Sequence, residues 1–390
     1  MNALKVSLVF FAQLTAASAA IVADVRAAIA RGDFALAEKH IETYRQANGV
    51  TAEMIEAHSW LGRGALAAKQ FDKAEAYAAE TRKLALEQLK NRKLDDDKYL
   101  PIALGASIEV QANVLAERGE RSAAVAFLQR ELEAWRDTSI RTRIQKNLNL
   151  LTLEGKPAPP LDIAEWLGPK PVPLNALKGR VVLLYFWAHW CPDCKALVPA
   201  LVKLQSEYGG RGLTIVGPTQ RYGYTRRGEE ASPEEELKYI DEVRRSVYAG
   251  LKDMPVPVSE ENFKQYGAST TPTLVLLDAE GIVRLYHPGL MSYEALSRAV
   301  ESALTLRQGV IGVGVLPGEL AARRDVDGDK RLRRDHGPDR PEVEAHQGAV
   351  ANDPHARAQL PVLNANLVIT RGVAESLDLS ADDVAALQRP

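Results

Sequence analysis

Across residues 20–151 apolar side chains recur every three or four positions in a segment rich in Ala, Leu, Glu, Lys and Arg, and this spacing predicts a run of helices. The pattern then changes. "RVVLLYFWA" is an unbroken apolar run of β-branched and aromatic residues, as expected of a central strand covered on both faces. "CKALVPALVKLQSEYG" returns to helical spacing, "GLTIVGP" reads as a second buried strand, and "SPEEELKYIDEVRRSVYAG" as a capped helix. "PTLVLLDAEGIVRLYHPG" reads as two strands around an Ala-Glu-Gly turn, and "SYEALSRAVESAL" as a closing helix. Between the two patterns lies "GKPAPPLDIAEWLGPKPVPL", whose prolines exclude helix and put a boundary near Leu153. The expected fold is α/β, a mixed central sheet flanked by helices, preceded by an all-α domain of helical hairpins.

Three places in the helical part look alike: "IARGDFALAEKHI", "LAAKQFDKAEAYA" and "LAERGERSAAVAF". Each is a helix end, a short polar turn and a new helix with an Ala-rich face. Phe34 and Phe71 stand about one ~34-residue repeat apart, and "KNRKLDDDKYLPIAL" pushes the third copy further on. "HSWLGRGALAAKQFDKAEAYA" resembles a tetratricopeptide repeat, with Trp60, Leu61, Gly62 and Ala74 where that family's pattern has them; a plain helical bundle is the alternative. In either case stacked hairpins offer a concave face to another polypeptide, so an unknown protein partner is expected for this domain.

The ends read differently. "MNALKVSLVFFAQLTAASAA" has one lysine, a short apolar run and an Ala-Ser-Ala site, which predicts a cleavable signal peptide over 1–19 and a periplasmic or secreted protein. Residues 307–390 contain no Phe, Tyr, Trp, Cys or Met and carry a mixed-charge run, which predicts a mostly disordered tail. "DVDGDKRLRRDH" in that tail has Asp325, Asp327 and Asp329 at calcium-loop spacing, but Lys330 and His336 occupy positions that need glycine and an acid, so calcium is not expected. Between the ends, the expected domains are helical over 20–151 and α/β over 152–306. The 49 basic and 51 acidic residues nearly cancel, so the charge predicts no nucleic-acid partner.

The chemistry concentrates in "FWAHWCPDCKALVP", which holds both cysteines of the chain. A redox couple, half of a metal site and a structural staple all fit a Cys-x-x-Cys pair. A zinc site needs four ligands, yet there is no second pair and the histidines are scattered, so no metal is expected. A staple would close too short a loop to stabilise much. For a redox couple the placement is favourable. Cys191 precedes a helix whose unpaired N–H groups favour a thiolate, and Cys194 comes one turn later on the same side. Pro192 suits the first helical turn.

With Trp190 before the first cysteine and Pro199 in the helix, this stretch resembles the active-site segment of the thioredoxin superfamily. More narrowly, "GKPAPPLDI", "LKGRVVLLYFWAHWC" and "YGASTTPTLVLLDAEGIVRLYHPG" resemble the exported TlpA-like thiol:disulfide oxidoreductases. The resemblance implies a thioredoxin-like fold and a protein-disulfide reductase, with Cys191 attacking, Cys194 resolving, and Trp190, Thr271 and a cis Pro272 contacting substrate. It implies disulfide-containing protein substrates, a membrane thiol transporter as electron donor, and no cofactor beyond the redox-active Cys191–Cys194 disulfide. There are departures. Tyr185 stands where many thioredoxins have a buried acid and Leu197 where TlpA-like reductases often have a glutamate, so neither usual proton acceptor is present. Ala188 replaces the threonine of a peroxiredoxin-type peroxidase. Asp193 and His189 are candidate modulators of the thiol pKa, if they are more than exposed loop residues: a carboxylate would raise it and a protonated imidazole lower it. The competing function is a protein-binding adaptor in which the thioredoxin-like part only docks.

Overall fold

The computed structural model describes residues 20–312; the signal peptide expected over 1–19 and the calcium-like stretch in the tail lie outside the described residues. Seven helices come first: α1 (Ala20–Ala30), α2 (Phe34–Asn48), α3 (Ala52–Ala67), α4 (Phe71–Gln88), α5 (Leu100–Glu117), α6 (Arg121–Ala134) and α7 (Arg141–Thr152). Their apolar stripes meet in one core that includes Met54, Ile55 and Leu61 from α3 and Leu100, Leu104 and Ile108 from α5. Small residues set the closest approach. A Cβ on Gly62 would lie 3.5 Å from the Ala78 nitrogen and 3.6 Å from the Ala74 oxygen, so α3 and α4 pack almost backbone to backbone.

The three look-alike turns share one physical device. Gly32, Lys69 and Gly119 all adopt positive φ, at 72°, 57° and 83°. Each donates its N–H three residues back, to Ile29, Leu66 and Ala116, and the next residue donates five back, to Ala28, Ala65 and Leu115. This is the left-handed helix ending that satisfies the last carbonyls of α1, α3 and α5. Two of the three turns use glycine, and Lys69 takes the same conformation without it.

The second part contains β1 (Trp166–Leu167), β2 (Val181–Phe186), α8 (Pro192–Tyr208), β3 (Leu213–Val216), α9 (Pro233–Val247), β4 (Val256–Pro257), α10 (Glu260–Tyr266), β5 (Thr273–Leu277), β6 (Val283–Pro288) and α11 (Tyr293–Gly312). The main sheet is mixed, in the order β3-β2-β5-β6, with β2 parallel to β3 and antiparallel to β5. All six residues of β2 are buried. Side chains alternate across a strand, so Val181, Leu183 and Tyr185 pack with Leu201 and Leu204 of α8 and Val300 of α11, while Val182, Leu184 and Phe186 pack with Phe263 and Tyr266 of α10. The short β1–β4 pair and the seven-residue α10 have no counterpart in the hydrophobic pattern, which is too brief there to show a period.

The helical part rests on the base of the segment that leads to Pro272. Gly267, at φ 61°, ends α10, and a Cβ there would lie 2.3 Å from the Lys146 nitrogen of α7. Asn149 Nδ2 donates to the Gln265 carbonyl at 3.3 Å, and Glu154 Oε1 accepts the Tyr286 N–H at 3.0 Å. Behind this contact Glu109 receives Arg143 at 2.9 Å, Lys146 at 3.0 Å and Asn147 at 3.2 Å. Burial alone would raise the Glu109 carboxyl, but Lys146, Arg143 and Arg63 overcome it and hold the group well below the usual range.

Candidate active site

Strand β2 delivers the chain to the site, and Trp187 fastens the turn between that strand and α8. Its N–H donates to the Pro218 carbonyl at 3.1 Å, its indole Nε1 to the Gly217 carbonyl at 3.0 Å, and its own carbonyl accepts the Thr219 hydroxyl at 2.9 Å. Cys191 then caps α8, its sulfur accepting the Cys194 N–H at 3.1 Å. The two cysteines are joined as a disulfide, with Cα atoms 5.3 Å apart. The Thr271–Pro272 peptide bond is cis, and the Thr271 carbonyl oxygen lies 3.3 Å from the Cys191 sulfur. Pro272 is itself held, its carbonyl accepting the Gly289 N–H at 2.7 Å. Two segments about 80 residues apart in sequence thus meet at one sulfur atom.

Around the pair, Cys194 is fully buried and Cys191 nearly so, while Pro192 is exposed and Trp190, Asp193 and Thr271 are half-buried. The indole Nε1 of Trp190 and the hydroxyl of Thr271 are buried with no hydrogen-bond partner among the described residues. Burial raises the Asp193 carboxyl and lowers the Lys195 ammonium. At the two positions where an acid was sought, the chemistry is different. Leu197 sits in the core. The buried Tyr185 hydroxyl donates to the Cys194 carbonyl at 2.8 Å and lies 3.1 Å from the Tyr248 hydroxyl. Burial pushes the Tyr185 phenol well above its ordinary value, so it is a hydrogen-bond donor to the backbone here and no proton acceptor.

His189 departs from the reading of an exposed loop residue: it is fully buried. Its Nε2 lies 3.1 Å from Glu236 Oε1, and the rings of Tyr222, Tyr224 and Tyr239 meet it edge-on at 5.6, 5.5 and 5.3 Å. Burial lowers the imidazole below its usual range, outweighing the attraction of Glu236, and so favours the neutral ring over the cation considered from sequence. Glu236, also buried, accepts the N–H groups of Tyr222 at 2.6 Å and Gly223 at 2.8 Å. Sequence reading missed Glu236. Its signal was present, since Glu236 shares the helical stripe of Ile240 and Val243, where an acid is out of place unless it has partners.

A cysteine pair at a strand-to-helix junction, facing a cis proline that leads into a neighbouring strand of a mixed sheet, is the arrangement of thioredoxin-like thiol-disulfide oxidoreductases. Residues 174–304 match the family described as a thioredoxin-like domain, and among the described residues seven helices precede that match. It is 28% identical over 151 residues to the thioredoxin-like protein YneN of Bacillus subtilis, covering 38% of this chain and 79% of that protein. It is 26% identical over 141 residues to the thiol-disulfide oxidoreductase ResA of Halalkalibacterium halodurans, covering 36% of this chain and 71% of the relative. With the protein DipZ of Mycobacterium tuberculosis it shares 28% identity over 152 residues, 36% of this chain but only 20% of DipZ. Among the described residues there is no group of side chains suited to a metal ion, and no helix is long and apolar enough to cross a membrane.

Proposed function

We propose that this protein is an exported protein-disulfide reductase. The observation that carries the reading is the convergence on Cys191: its sulfur lies 3.1 Å from the Cys194 N–H and 3.3 Å from the Thr271 carbonyl oxygen. In the reduced protein the helix N-terminus and the Cys194 N–H favour the Cys191 thiolate. The thiolate attacks one sulfur of a substrate disulfide, the substrate S–S bond breaks, and the departing sulfur takes a proton. The Cys194 thiolate then attacks Cys191, expelling the second substrate thiol and closing the Cys191–Cys194 disulfide. Two electrons and two protons pass to the substrate, and an external thiol donor must restore the pair.

Thr271 and Pro272 present the backbone against which a substrate segment lies, and Trp190 forms the adjoining wall. Asp193, half-buried between the two cysteines in the chain, is the carboxylate assigned to modulate the ionisation of Cys191. The donor fits a membrane thiol transporter, the location fits the periplasm or the cell exterior, and the helical part fits a protein partner. Reduction of insulin by dithiothreitol tests the activity. The full chain accelerates it and Cys191→Ser does not; equal rates for the two would leave the adaptor reading in its place.

A further inference from the structure

We infer that Glu236 is a positioning residue that selects polypeptide disulfides over small ones, by tying the 220–224 segment to the residue two places before Cys191. This rests on the disulfide-exchange reading of the site. A buried carboxylate is costly unless its oxygens are hydrogen-bonded, and Glu236 spends its oxygens on three groups outside its own helix: Tyr222 N–H at 2.6 Å, Gly223 N–H at 2.8 Å and His189 Nε2 at 3.1 Å. The nearby guanidinium of Arg221 is engaged elsewhere, with Glu165 at 2.7 and 2.5 Å and the Pro233 carbonyl at 3.0 Å. The carboxylate therefore joins α9, the segment after β3 and the approach to the dithiol into one unit.

The link reaches the site through aromatic rings. Tyr222 packs edge-on against Trp190 at 5.5 Å, against His189 at 5.6 Å and against Phe263 at 6.5 Å. Trp190 adjoins Cys191 in the chain and keeps a buried indole N–H without a partner among the described residues. Fixing Tyr222 fixes the ring against which Trp190 packs, and because Trp190 adjoins Cys191, whose sulfur the Thr271 carbonyl oxygen approaches at 3.3 Å, we take a polypeptide laid along Thr271 and Pro272 to run past the Trp190 wall. A small disulfide needs only the sulfur, the Cys194 N–H and the helix terminus. Pre-organising the wall thus favours long substrates, because less freedom is lost when they bind.

The test compares wild type with Glu236→Gln and Tyr222→Leu in the full chain, with insulin and with 5,5′-dithiobis(2-nitrobenzoate) as substrates. Tyr222→Leu removes the ring and keeps both backbone N–H groups paired with Glu236, so it serves if Glu236→Gln does not fold. The inference predicts that KM for insulin rises about tenfold, with kcat and the rate on the small disulfide within about twofold. It also predicts that Glu236→Gln and Tyr222→Leu together do no more than either alone. Equal losses on both substrates in folded variants, or no loss on insulin, overturn it. Failure of the underlying reading looks different, since wild type itself would then be no faster than Cys191→Ser.

Discussion

The hydroxyl of Tyr185 donates to the carbonyl of Cys194 at 2.8 Å from within the core. At the position where the resemblance calls for a proton-accepting acid, a phenol therefore serves the backbone of Cys194. Tyr185→Phe should lose this bond and the contact with Tyr248, lowering stability by about 1–2 kcal/mol in urea unfolding, while insulin reduction stays within about threefold of wild type. A loss of turnover beyond a hundredfold would mean that the hydroxyl takes part in proton transfer after all.

The turn at Lys69 carries a cost that its two counterparts avoid. A left-handed conformation is unfavourable for a residue with a Cβ and free of that penalty for glycine, although glycine also gains entropy when unfolded. Lys69→Gly should be neutral or stabilising by up to about 1 kcal/mol, whereas Gly119→Ala should destabilise by about 1 kcal/mol, both read from thermal or urea unfolding. If Lys69→Gly cost stability, the shared turn conformation would not be what makes the three sequences alike.

Gly267 tests the contact between the two parts of the chain. Any side chain there meets the Lys146 backbone and is strained at φ 61°. Gly267→Ala should destabilise by at least about 2 kcal/mol, and because Thr271 lies only a short way along the chain, insulin reduction should fall with it. Unfolding at unchanged stability would show that α7 does not press on this segment.

Two buried groups give pH dependences of opposite sign. Burial lowers the His189 imidazole, so the unfolded chain binds more protons as pH falls below about 6.5, and stability present above that pH is lost on acidification toward the folded value. His189→Gln should flatten this loss. Burial raises Glu56, despite Arg63 and Arg26, to about 7. The folded state then holds the proton more tightly, so stability present below about 4.5 is lost as pH rises through 7. Relative to Glu56→Gln, wild type should lose roughly 2–3 kcal/mol between pH 4.5 and 8 in urea unfolding. A constant difference across that range would contradict the assignment.

What could be read in the sequence was whatever a short stretch determines locally. The six apolar residues of β2 need two covered faces, and Cys191, Pro192 and Cys194 announce a helix start wherever they fall. The three helix endings also showed as sequence likeness, because each is set within one turn. The burial of His189 was not legible for the opposite reason: it depends on Tyr222, Tyr224, Tyr239 and Glu236, which reach it from a loop and a helix far along the chain. Gly267 was silent as well, since what it avoids is the backbone of Lys146 in the other part of the chain.

In the proposed cycle Cys191 attacks and Cys194 releases. The most direct measurement is non-reducing gel analysis of Cys194→Ser after reduction and incubation with an insulin disulfide. A mixed disulfide that accumulates on Cys191 and is absent from the Cys191→Ser, Cys194→Ser double variant is the predicted result. No adduct on Cys191, with insulin reduction undiminished in either single variant, would contradict it.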